Sequence, residues 1–170
     1  MALKDILSRN RSAILERWFG KTLGSYPSDA AGFLKQQKKQ FANPVGYTTS
    51  KGLEGIFDGL LNNTAFDELT PFIDDVVRIR AIQDLTPSQA LVFLFHLKSL
   101  IREQPGAEEQ SYSGELRELD SRIDALSLIS FDIYMKCREK VYELKANEVK
   151  NRTYRLLQMA NLACEVRQEE

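Results

Sequence analysis

The final third of the chain, from Glu115 to Glu170, contains neither proline nor glycine. These two residues break helices most strongly, so a run without them favours an uninterrupted helix. An apolar stripe at heptad-like spacing supports this prediction and comprises Leu116, Leu119, Ile123, Leu126 and Ile133. Because residues 145–152 are mostly polar, the pattern leaves two possibilities, one very long helix over residues 114–170 or two helices with a polar joint. A helix of this length without internal caps is typical of coiled-coil or dimer packing, so we expect a homodimer.

The preceding residues, 1–105, show the helical period in shorter segments. Besides a glycine-containing segment described below, the predicted helices are residues 2–24, residues 28–40, a segment that Thr70-Pro71 opens, and residues 87–103. Proline at the first helical position marks the last two starts. We therefore expect an all-α fold, either globin-like or a multi-helix bundle with a long C-terminal helix, in which residues 1–170 form a single domain.

The spacing of apolar residues also predicts which side chains are buried. In the helix after Pro71, the residues expected to face inward are Ile73, Val76, Val77 and either Ile79 or Ile82. Those expected to face mostly outward are Asp74, Asp75, Arg78 and Arg80. The helix 87–103 is apolar on nearly all sides through Leu97, so it should be the most buried one. Residues 106–113 are expected to form a polar loop.

Three glycines, Gly52, Gly55 and Gly59, follow one another at steps of three and four residues. A phosphate-binding loop would follow a strand and would end in a Lys-Ser/Thr pair, and neither is present. The spacing instead places the glycines on one face of a helix after Asn43-Pro44. Glycine inside a helix costs about 1 kcal/mol relative to alanine, so a close approach by another element is the expected reason for it. We predict a close helix–helix crossing or one wall of a small cavity.

Charge and composition exclude several classes of function. The 23 basic and 24 acidic residues give a net charge of −1, which argues against a dedicated nucleic-acid binder. The longest apolar run, residues 90–95, is too short to cross a membrane, and the N-terminus lacks the apolar core of a signal peptide. We therefore expect a cytoplasmic protein with no membrane insertion. The two cysteines, Cys137 and Cys164, are expected to be free thiols without metal-ligand spacing.

Few residues suggest chemistry. His96 is the only histidine, and it lies in an apolar run, where a partly buried structural histidine is expected; the alternative is a haem ligand. Lysine and arginine flank Cys137 and could make it a redox sensor, but an inert cysteine is the preferred interpretation. No nucleophile has a suitable base, so we expect no enzyme, no metal and no cofactor other than haem in that alternative. A ligand pocket or helix crossing would involve Gly52, Gly55, Gly59, Phe57, Trp18, Phe93 and His96.

One segment resembles a known family. Phe41-Ala42-Asn43-Pro44-Val45-Gly46, followed by Gly52-Leu53-Glu54-Gly55-Ile56-Phe57-Asp58, is similar to the N-terminal domain of the RsbRD-type RsbT co-antagonists. Further similar segments, in family order over roughly residues 1–145, are Ile14-Leu15-Glu16-Arg17-Trp18, residues 75–83 and residues 85–90.

The resemblance implies a bacterial signalling domain of the stressosome type. Such domains precede a phosphorylatable STAS domain, and better-known members of the wider group are globin-like, dimeric and free of haem. No STAS-like segment follows here before residue 170, so we expect a stand-alone sensor or scaffold with protein partners in a signalling pathway. In the relatives, the last helix passes the signal onward. An interaction subunit of a redox complex is the remaining alternative.

Overall fold

The computed structural model describes residues 2–26, 31–32, 34, 42–83 and 85–160. These residues contain six α-helices, a 3₁₀ helix at Gly106–Tyr112 and no strand. The helices are α1 (Leu3–Arg9), α2 (Arg11–Leu23), α3 (Pro44–Leu61), α4 (Phe66–Ile82), α5 (Pro87–Arg102) and α6 (Ser113–Met159). The predicted all-α fold with a long C-terminal helix is confirmed. The globin-like form of it stays a prediction.

The first predicted helix is divided at Asn10 into α1 and α2. Asn10 has a poor helix propensity, and its exposed side-chain amide donates a hydrogen bond to Gln104 Oε1 at 3.0 Å. The backbone N–H of Leu3 donates to the carboxylate of Glu115 at 2.9 Å, which ties α1 to the start of α6. The predicted helix 28–40 lies mostly outside the described residues.

The helix α3 begins as the sequence predicts. Pro44 is its first residue, and the Asn43 side chain accepts a hydrogen bond from the Gly46 N–H at 2.8 Å. The prediction that Thr70-Pro71 opens the next helix is wrong, because α4 begins at Phe66 and contains Pro71. The earlier start is stabilised by the acidic first-turn residues and by the burial of Leu69.

The helix α5 begins with the predicted capping box, in which the Thr86 N–H donates to Gln89 Oε1 at 3.0 Å. Its burial is less complete than predicted, since the Phe95 side chain is exposed. The prediction of a polar loop over residues 106–113 is also wrong, because Gly106–Tyr112 forms the 3₁₀ helix and Tyr112 is buried. Gly106 has φ of 55°, a conformation that glycine adopts without strain.

The helices pack around one apolar core. Helix α4 contacts α3, α5 and α6, and α5 also contacts α2 and α6. Two ion pairs, Lys98–Asp124 and Arg102–Asp120, join α5 to α6 and show that the two helices run antiparallel. The fully buried side chains at the centre include Trp18, Phe57, Val77, Phe93 and Ile123.

The helix α6 is continuous through the polar stretch at residues 145–152, so the possibility of two helices separated by a joint there is excluded within the described residues. Its first half is packed on the other helices through Leu116, Ile123, Leu126, Ser130 and Tyr134. Arg138 Nη1 still donates to the Ala81 carbonyl, at 3.1 Å. From Tyr142 onward every described side chain is exposed.

Candidate functional site

The glycine face of α3 lies against α4. A Cβ atom at Gly52 would lie 2.9 Å from the backbone oxygen of Phe72 and would overlap with Val76. At Gly55 it would overlap with the Phe72 ring, and at Gly59 with the Leu69 side chain. The three glycines therefore let the two helices approach closely.

Two predicted site residues, Trp18 and Phe93, are in contact with each other. Their rings stack with centroids 6.2 Å apart, and Trp18 Nε1 donates to the Phe93 carbonyl at 2.7 Å. Both side chains are fully buried, as is Phe57 on α3. They join α2 to α5 and belong to the core.

Arg80 is a buried residue that the sequence interpretation missed. Only 1% of it is exposed, whereas it was expected to face mostly outward. Its guanidinium donates to the carbonyls of Ala90 and Gln89, both at 2.7 Å, to the Thr22 carbonyl at 3.1 Å and to Ser25 Oγ at 2.6 Å. Within the described residues it forms no ion pair. Arg80 therefore connects α4 with the end of α2 and the first turn of α5.

Aromatic rings complete the surroundings of this cation. The guanidinium carbon lies 5.7 Å from the centre of the Tyr26 ring and 5.9 Å from that of Phe93, within the range of a cation–π interaction. Burial lowers the pKa of Arg80, while Tyr26 acts in the opposite direction. The side chain nevertheless stays charged, because an arginine pKa lies far above neutral pH.

His96 is partly buried on α5. Burial is the main cause that lowers its pKa, and the positive charges of Lys21 and Arg80 lower it further. Its Nδ1 atom is shielded from solvent and has no hydrogen-bond partner among the described residues. The imidazole is therefore neutral at pH 7, which is the form that binds metals, but the geometry gives no further support to haem, which stays a prediction.

The structure does not favour a reactive thiolate at Cys137. Burial raises the pKa of the thiol, and Asp74 adds to this, while the Arg78 guanidinium lowers it. Lys136 and Arg138, which flank Cys137 in the sequence, are not among these causes. Cys164 lies outside the described residues.

A cleft of about 730 Å³ lies between α2 and α3. Its lining is mixed, with Leu15 and Phe19 on α2 and Tyr47 and Ser50 on α3. Residues 47, 50 and 54 follow one another at steps of three and four, so they share one face of α3. This face is opposite the face that carries the three glycines. None of the predicted pocket residues lines this cleft.

An exposed apolar stripe follows α6. In its proximal part, Leu128, Phe131 and Met135 lie on the packed half of the helix, and in its distal part Tyr142, Val149 and Leu156 repeat every seven residues. We call Leu128, Phe131 and Met135 the proximal seam, and Tyr142, Val149 and Leu156 the distal seam. The distal residues are 57%, 64% and 58% exposed, and such side chains normally find a partner surface when they are aligned along a helix.

Phe95 extends the proximal seam onto α5. Because Lys98 pairs with Asp124 and the helices are antiparallel, one turn further along places Phe95 beside Leu128. Both side chains are exposed. The patch thus spans two helices, which sequence periodicity alone did not indicate.

The comparisons with known proteins bear on this architecture. Among the described helices, none is both long and apolar enough to span a bilayer. Neither a curated protein nor a solved structure matches the chain significantly. The family model of the RsbT co-antagonist protein rsbRD N-terminal domain matches residues 12–149, as the resemblance of the sequence had indicated. Since this match covers most of the chain, the protein belongs to the RsbRD N-terminal domain family, a family of signalling regulators.

Proposed function

We propose that this protein is a non-enzymatic signalling domain that forms a homodimer and passes a signal to another protein through α6. The observation that best supports the proposal is the apolar stripe on α6, which is aligned over about four heptads and exposed throughout. The family supports the regulatory role, and the packed half of α6 would receive the signal from the core.

The dimer is proposed to form through the proximal seam together with Phe95. Antiparallel helices that expose a shared apolar face bury it well in a four-helix arrangement with a second copy. The continuous α6 would then carry a rearrangement of this interface outward.

Sedimentation velocity of the full chain tests the dimer. We expect the wild-type chain to sediment as a dimer and Leu128→Glu as a monomer, because a buried, unpaired carboxylate is strongly unfavourable in an apolar interface. Leu144→Glu is the matched control, since Leu144 is also exposed but lies off the stripe, and it should stay dimeric. A monomeric wild-type chain would contradict the proposed dimer.

As a second candidate, we propose that the cleft between α2 and α3 binds the signal as a small ligand. Its volume falls within the range of known ligand sites, about 300–1,000 Å³. Native mass spectrometry of protein purified from its own host tests this. Added mass that disappears in Leu15→Trp, which fills the cleft, would support sensing, whereas the bare polypeptide mass would favour a scaffold.

A further inference from the structure

The charge of α6 changes along its length. Residues 113–135 contain five acidic and two basic side chains, whereas residues 142–159 contain four basic and two acidic ones. The distal seam is therefore set in a basic segment of a chain whose net charge is −1. The positive charge of this segment and the apolar residues of the distal seam together indicate what kind of molecule binds there.

Small residues make the distal seam suited to a helix. Ala146 and Thr153 lie between Tyr142, Val149 and Leu156 at steps of three and four, which is the spacing of a coiled-coil seam. Small side chains at alternate positions let a second helix approach closely. Most other side chains of the segment are charged or polar, and the remaining exposed apolar ones, Leu144, Tyr154, Leu157 and Met159, are spread around the helix. The apolar strip is therefore narrow, which fits a helix better than the broad apolar face needed by a bilayer.

The charged edges of the distal seam disfavour a second copy of the chain. One edge carries Lys145 and Arg152, and the other carries Glu143 and Lys150. In a parallel pair, Lys145 would face Lys150 of the second copy, because these edge positions meet across adjacent heptads. In an antiparallel pair, the edge with Lys145 and Arg152 would face its own counterpart. Both orientations bring like charges together.

We infer that the distal seam binds an acidic amphipathic helix of a different protein. This inference rests on the proposed function, because it names the class of partner that would receive the signal. Apolar residues of the partner would cover Tyr142, Val149 and Leu156, and its acidic flanks would pair with Lys145 and Arg152. The copies of this chain would meet along the proximal seam and separate beyond it.

Fluorescence anisotropy with synthetic peptides tests the inference on the full chain. The probe is a labelled heptad-repeat peptide with leucine and alanine on its seam and glutamate at both flanks, and the control peptide has lysine at the flanks. The glutamate peptide should bind at least about tenfold more tightly at low salt, with the difference shrinking as salt is added. Equal binding of the two peptides, or no binding of either, would overturn the inference.

Paired variants locate the contact. Val149→Asp should abolish binding of the glutamate peptide and Leu144→Asp should not, because both change an exposed apolar residue but only Val149 is on the seam. Lys145→Glu should weaken binding and Lys140→Glu should not, since the two lysines are about 140° apart around the helix. The same effect in both members of a pair would overturn the proposed location.

Two further measurements separate the alternatives. Sedimentation of the chain with phosphatidylglycerol vesicles, abolished by Val149→Asp, would show a membrane as the occupant and overturn the inference. Leu128→Glu should keep its preference for the glutamate peptide even as a monomer. If the wild-type chain is a monomer that still binds the glutamate peptide more tightly, the proposed dimer is wrong and the proposed docking of an acidic helix is supported. If the chain is a dimer that binds both peptides equally, the dimer is supported and the docking of an acidic helix is wrong.

Discussion

Arg80 is the residue whose position and chemical type gave opposite predictions. Ile73, Val76, Val77 and Ala81 are buried, and Arg80 shares their spacing of three and four along α4. Its burial therefore followed from its position, although its charge had suggested exposure. Its acceptors on α2 and α5 could not be predicted, because they depend on contacts between residues 9 to 58 positions apart.

Replacing Arg80 should destabilise the fold. Arg80→Met keeps a long side chain but removes the buried hydrogen bonds that the guanidinium donates to α2 and α5, which should lower the free energy of unfolding by about 2–3 kcal/mol. Urea denaturation measures the loss. Arg78→Met is the control, because Arg78 is exposed and its ion pair within the described residues is with Asp74 on the same helix. It should change stability by less than about 0.5 kcal/mol. Equal effects would contradict the structural role of Arg80.

His96 should make stability depend on pH. Because its folded pKa is lowered below the ordinary value of 6.5, the unfolded chain takes up the proton first as the pH falls. Well above pH 6.5, His96 is neutral in both states and does not change the free energy of unfolding. As the pH falls from about 6.5 to the lowered folded pKa, the free energy of unfolding decreases. Between about pH 7.5 and 5.5, the wild-type chain should lose more stability than His96→Gln in urea titrations. An equal loss in the two chains would count against this account.

At the scale of elements, local signals located most helices but misplaced several ends. The start of α5 was predicted because Thr86 and Gln89 form a local cap. The start of α4 was not, because Leu69 and Phe66 are held by contacts with other helices that outweigh the proline signal. Ile82 is 69% exposed, so Ile79, which is partly buried, was the correct choice between the two.

The crossing of α3 and α4 depends on Gly52. Gly52→Ala would gain helix propensity but would press its Cβ against the Phe72 backbone oxygen, which cannot turn aside as a side chain can. We expect a net loss on the order of 1–2 kcal/mol, measured by thermal or urea unfolding. Gly114→Ala meets nothing within 4 Å and should be neutral or stabilising. A stable Gly52→Ala chain would mean that the helices can separate at little cost.

At the scale of the whole molecule, the sequence predicted the family and the long last helix, since both rest on patterns within the chain. The seams were only partly predictable. The heptad residues from Leu116 to Ile133 turned out to face mainly the core, and the exposed stripe beside them became visible only once the packing of α5 was known.

The exposed end of α6 should be dispensable for folding. A chain ending at Glu143 loses residues 144–160, whose side chains the core does not bury, together with residues 161–170, which lie outside the described part of the chain. Its melting temperature should stay within about 4 °C of that of the full chain by calorimetry. A chain ending at Ile129 loses the buried Ser130 and Tyr134 and should be severely destabilised. Severe destabilisation of the longer truncation product would show that the distal half supports the core.

The helix α6 is attached to the core near Arg138 and projects beyond it, so a small tilt at Arg138 would produce a larger movement at its C-terminal end. Arg138 holds the helix to the end of α4, and the exposed residues beyond it extend for about 27 Å. A tilt of about 10° at this point would move the tip sideways by about 5 Å, given a rise of about 1.5 Å per residue. A small shift of α4 along its glycine-lined crossing would thus be enlarged at the far end into a sideways displacement of the distal seam, which a helix bound there would follow.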